Sequence, residues 1–74
     1  MDSKYEKELG QNIRKLRLAK GLSQEQVAAQ LQVSGCDVTR SALAKMEIGQ
    51  RHIYPDEIKY LREILGATYD QLFI

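Results

Sequence analysis

The 74-residue chain has a single cysteine, so it cannot form an internal disulfide, and it lacks the thiolate pair that most small zinc sites need. A domain this short buries only about 60% of the surface that its unfolded chain exposes. With the usual staples of small scaffolds missing, helix packing or a second copy of the chain must supply the stability. No run approaches the roughly 20 apolar residues of a membrane span. The opening "MDSKYEKELG" is polar and charged, unlike a secretory signal. The expectation is a cytoplasmic protein without a membrane partner, folded as one domain over residues 1–74. There is no low-complexity stretch, long linker or internal repeat, and no clean alternation that would make a strand.

Catalytic equipment is equally scarce. No glycine-rich phosphate loop and no cluster of carboxylates is present. Cys36, Asp37 and His52 are the only nucleophile-like set. A catalytic cysteine needs a base within reach, an orienting group and a pocket, and so short a chain offers little room for one. Cys36 and His52 also fall two ligands short of a closed zinc site. The sequence predicts no catalytic residue, no metal, no cofactor and no small-molecule ligand. Cys36 reads as a half-buried loop residue, and His52 as a surface residue or a contact to a nucleic-acid backbone.

Net charge is only +1, but it is unevenly spread. Residues 10–51 carry seven basic and three acidic side chains, a balance of +4, whereas residues 52–74 carry two and four, a balance of −2. The basic excess points to an anionic partner on one side.

Periodicity and punctuation predict an all-α chain of five helices, at about 4–20, 24–31, 40–48, 55–65 and 69–73. In the first, Leu9, Ile13 and Leu16 recur at helical spacing, and Gly21 stops it. "SQEQ" at 23–26 reads as a capping box that opens the second, with Val27, Ala28 and Leu31 on one face. Pro55 suits the first position of the fourth, and Thr68 caps the fifth. Between the second and third helices, "QVSGCDV" reads as an ordered loop with Val33 and Val38 tucked inward.

At about 100° per residue, Leu43, Met46 and Glu47 share the inner face of the third helix. Ser41, Ala44, Lys45 and Ile48 share the outer face, and Arg40 sits in the first turn near the boundary. Small side chains let the helix backbone approach a partner closely, and Arg and Lys can donate to guanine edges, so this face can enter a DNA major groove. Glu47 is a carboxylate on the core side, and a buried charge needs a partner. Arg17, four residues after Ile13 at the edge of the apolar stripe, is the candidate, which predicts an Arg17–Glu47 ion pair.

The segments "IRKLRLAKGLSQEQVAAQL", "TRSALAKMEIGQR" and "DEIKYLREILGATYDQLF" resemble the lambda-repressor-like, Cro/Xre-type helix-turn-helix family in residues and order, across about residues 9–73. The resemblance implies a compact five-helix DNA-binding domain whose third helix lies in the major groove, with dimers spanning two half-sites of a pseudo-palindromic operator. It implies that Thr39, Arg40, Ser41, Ala44 and Lys45 face bases or nearby phosphates, and that Gln24, Gln50 and Arg51 contact the phosphate backbone. The family's internal Arg–Glu pair falls on Arg17 and Glu47. One departure stands out. Gln24 and Glu47 lie 23 positions apart, about five more than the family's usual turn requires, with "SGCDV" as the insert.

A sequence-specific regulator of transcription, most simply a repressor of bacterial or phage origin, is the expected function. The competing reading is a protein-interaction module of the same fold, such as an antitoxin-like partner, suggested by the near-neutral charge and the apolar end "QLFI". The regulator is expected to be a homodimer, at least on DNA, through Tyr69, Phe73 and Ile74 on the last helix. Leu72 and Phe73 could instead close the core.

Overall fold

Residues 3–73 are described in a computed structural model. They fold into five helices and no strand: α1 Ser3–Ala19, α2 Gln24–Val33, α3 Arg40–Glu47, α4 Pro55–Leu65 and α5 Tyr69–Leu72. The chain is all-α, as the periodicity indicates. α2 runs on to Val33, and α3 and α5 close at Glu47 and Leu72, with Ile48 and Phe73 as their C-caps.

Each helix start has a local chemical cause. Ser23 Oγ accepts from the Gln26 N–H at 3.0 Å while the Ser23 N–H donates to Gln26 Oε1 at 2.8 Å. Two of the N–H groups that a helix start leaves without intrahelical partners are satisfied in this way. Thr68 and Gln71 repeat the arrangement at α5. Thr39 Oγ1 accepts from the Ala42 N–H at the start of α3. α4 starts on Pro55, and Glu57 Oε1 takes the Tyr54 N–H at 3.0 Å.

The five helices bury one core. Ile13 of α1, Val27 and Leu31 of α2, Leu43 and Met46 of α3, Leu61 and Leu65 of α4, and Leu72 of α5 are all buried in it. α1 packs along α3, and the approach depends on Gly10. A Cβ at that position would lie 2.1 Å from the Met46 carbonyl oxygen, so no larger residue fits without moving one helix. Asn12 Nδ2 donates to the Leu72 carbonyl at 2.8 Å, tying α5 to α1, and Lys20 Nζ donates to the last-turn carbonyl of Ile64 in α4 at 2.7 Å.

The long turn between α2 and α3 is built from its own hydrogen bonds. The Cys36 N–H donates to the Leu31 carbonyl at 2.9 Å, the Val38 N–H to the Cys36 carbonyl at 2.9 Å, and Gln32 Nε2 to the Val38 carbonyl at 3.2 Å. Val38 and Cys36 fill the core, so Cys36 is more buried than a half-exposed loop residue. Burial, and then the negative charges of Asp56 and Glu57, push its thiol above the usual range. Val33 does not tuck inward. It is 90% exposed, on the outer side of the two further residues by which α2 outruns its expected end.

Candidate nucleic-acid interface

The outer face of α3 is held from behind. Leu43, Met46 and Glu47 are at most 2% exposed, whereas Arg40, Ser41, Lys45 and Ile48 face solvent and Ala44 is half-buried. The helix cannot rotate about its axis without moving three buried side chains.

Glu47 is the main anchor. Arg17 Nε donates to Oε2 at 2.7 Å and Nη2 to Oε1 at 3.0 Å, while Nη1 donates to the Leu22 carbonyl at 2.9 Å. Gln24 Nε2 also donates to Oε1 at 3.0 Å. One carboxylate therefore links α1, the start of α2 and the end of α3. Gln24 is half-buried on this anchor, with its amide oxygen and second amide hydrogen uncommitted to Glu47, at a helix N-terminus that favours anions.

Thr39 serves as the N-cap of α3, so its hydroxyl oxygen is occupied as an acceptor while the hydroxyl hydrogen can still donate. Gln50 is exposed just past α3, in a turn closed by its N–H on the Lys45 carbonyl at 2.8 Å. Gly49, at φ +78, makes that turn. A Cβ there would lie 2.9 Å from the Lys7 Cα, so the turn also rests directly on α1.

Arg51 has a partner that the sequence reading did not foresee. Its Nη1 and Nη2 donate to Glu57 Oε1 and Oε2 at 2.9 and 3.0 Å, and Nη1 also reaches the His52 carbonyl at 2.9 Å. Three of the five donors of a guanidinium are thus used, leaving two. Burial pushes the Glu57 carboxyl up. The hydrogen bonds from Arg51 and the Tyr54 N–H, with the charges of Arg51 and His52, outweigh that and leave it below the ordinary range. The hydrogen bond to Glu57 raises Arg51 further, against a smaller effect of burial. The Tyr54-to-Glu57 spacing of an N-cap and its third residue signals the Tyr54 N–H contact to Glu57, but not the one from Arg51.

His52 donates through Nδ1 to Glu6 Oε1 and packs edge-on against Tyr54 at 4.7 Å. It belongs to the segment between α3 and α4 and meets α1 through Glu6. Among the described residues no three histidine, cysteine or acidic side chains gather where they could hold a metal ion, and no helix is long and apolar enough to cross a membrane.

A second feature lies at α5. Leu72 is fully buried, whereas Phe73 and Tyr69 are 58% and 49% exposed. Phe73 lines a cleft of about 210 Å³ whose surface is mostly apolar, from Tyr5, Leu9 and Ile53, with Glu6, Glu8, Asn12 and His52 completing its lining. Tyr69 stacks under the Arg62 guanidinium, 4.9 Å from the ring centre. Ile74 lies outside the described residues.

Comparison with known proteins agrees with this arrangement. A family model described as a helix-turn-helix domain matches residues 8–72. No curated protein matches the chain. Among solved structures, the restriction-modification controller protein C.AhdI from Aeromonas hydrophila is 37% identical, with 96% of each chain covered and a TM-score of 0.81. The DNA-binding domain of BldD is 26% identical, with all of both chains covered and a TM-score of 0.81.

Proposed function

The chain belongs to the helix-turn-helix domain family, and from that premise we propose that it is a small, sequence-specific regulator of transcription that acts as a repressor on double-stranded DNA. The observation that carries this reading is the outer face of α3. Ser41 and Lys45 stand in solvent on a helix whose inner face is fixed by Leu43, Met46 and the Glu47 anchor. A reading helix must be held rigidly, because base edges are distinguished by the positions of single donors and acceptors. Thr39, Arg40, Ser41, Ala44 and Lys45 are assigned to base edges. Gln24, Gln50 and the two remaining donors of Arg51 are assigned to phosphates, which set register rather than sequence.

A homodimer follows from the same reading. The protein measures 30 × 21 × 19 Å, so two copies arranged end to end suit half-sites one helical turn, about 34 Å, apart. Phe73 and the cleft beside it, with Tyr69 and Ile74, are assigned to the second copy. Exposed aromatic groups over an apolar cleft are the usual material of such a contact. A cytoplasmic location in a bacterium or phage-infected cell goes with this role.

The test is binding to a pool of random duplex DNA at increasing salt. Affinity should fall steeply and linearly on logarithmic axes as counterions are displaced, and selection from the pool should enrich a two-fold symmetric sequence. Absence of binding to any duplex at low salt would instead favour a protein-interaction module of the same fold.

A further inference from the structure

Among the described residues, Ile48 is the one large apolar side chain left in solvent on the outer face of α3, and the assignments above give it no role. It is 53% exposed. It stands one turn beyond Ala44 and Lys45 and two turns beyond Ser41, so the stripe runs from hydroxyl through ammonium to branched alkane.

Its position is fixed. Ile48 is the C-cap, and the chain turns away immediately after it. The Gly49 N–H bonds the Met46 carbonyl at 3.2 Å and the Gln50 N–H bonds the Lys45 carbonyl at 2.8 Å, while Gly49 rests on Lys7 of α1. A β-branched side chain is also stiff at χ1. Little freedom is left to lose when such a group meets a partner.

The major groove offers acceptors on guanine, an acceptor and a donor on adenine, a donor on cytosine, and an acceptor beside a methyl group on thymine. A branched alkane satisfies only that methyl group. Against any other edge it would strip water from a polar atom and return no hydrogen bond.

We infer that Ile48, with the Ala44 methyl one turn back, is a thymine reader, packing on the C5-methyl of a thymine beside the base that Lys45 contacts. This rests on the DNA-binding reading above and adds a specificity residue to it.

The probe is the set of duplexes that the wild-type protein enriches from a random pool, resynthesised with uracil in place of thymine at one position at a time. Uracil pairs as thymine does and lacks only the methyl group. At one position in each half-site, uracil should weaken binding about fourfold, the loss that accompanies exposure of one methylene-sized group. Ile48→Ala should lose most of the thymine-to-uracil difference, leaving only the Ala44 contribution, and should melt close to wild type because about half of the side chain is in solvent. Indifference to uracil at every position, or a wild-type thymine-to-uracil ratio in Ile48→Ala, overturns the inference while leaving DNA binding intact. Failure to enrich any duplex overturns both readings together.

Discussion

Arg17 and Glu47 meet through two parallel hydrogen bonds, 2.7 and 3.0 Å long, between residues 30 apart in sequence. Both side chains are buried, at 8% and 1% exposure. A buried pair of this kind fixes arrangement more surely than it adds net stability, but removing one partner strands the other charge. Because Gln24 shares the same carboxylate, the pair also sets where the start of α2 stands relative to α3.

Glu47→Ala should therefore destabilise the fold by roughly 3 kcal/mol or more, the cost of an uncompensated buried charge. In a domain of this size that lowers the melting temperature by more than about 12 °C. Thermal unfolding followed by circular dichroism checks it, and a change of a degree or two would contradict burial of the pair.

Gly10→Ala sets two effects against each other. Alanine gains about 1 kcal/mol of helix propensity over glycine. The new Cβ, however, would sit 2.1 Å from a backbone oxygen of Met46, and α1 and α3 must part to admit it. Separation of packed helices costs more than the propensity gain, so the variant should melt lower than wild type. A higher melting temperature would mean that the two helices are not in close contact.

Base readers and phosphate contacts should respond differently to truncation. Lys45→Ala or Arg40→Ala should relax preference at particular base pairs, by roughly 1–3 kcal/mol if the contact is bidentate. Gln24→Ala should weaken all duplexes about equally. Competition between enriched and single-base-changed duplexes measures the difference, and a uniform loss in all three variants would remove the base-reading assignment.

Arg51 has two separable jobs. Arg51→Ala should lower the melting temperature, since it leaves the buried Glu57 carboxylate with only the Tyr54 N–H. It should also reduce the slope of log affinity against log salt by about one. Glu57→Gln should lower stability without reducing that slope. An unchanged slope in Arg51→Ala would confine Arg51 to a structural role.

Acid should act through Glu57. Its folded-state carboxyl lies below the ordinary range, so the unfolded chain binds the proton more readily. The stabilisation is complete above the unfolded value, about 4.3, and is lost as pH falls through the lower folded value. Unfolding by urea at pH 7 and at pH 3 measures the decline, and Glu57→Gln should show a smaller one. Equal declines in the two proteins would place the acid sensitivity elsewhere.

The division between what was legible and what was not follows the range of the interactions. Helix starts at Ser23, Pro55 and Thr68 could be read directly, because a cap is chemistry between residues three apart. The inner face of α3 could be read because periodicity places Leu43, Met46 and Glu47 together whatever they pack against. The sequence by itself thus determined the helices, the face that α3 buries and the family. The tertiary structure alone decided that Val33 stands in solvent while Val38 is buried, that Leu72 closes the core while Phe73 stays outside it, that Gly10 is the point of closest approach, and that Arg51 is gripped by Glu57. Each of these depends on where a second helix or turn lies in space. Local spacing carries no record of that distance, and it is set only when all five helices share one core.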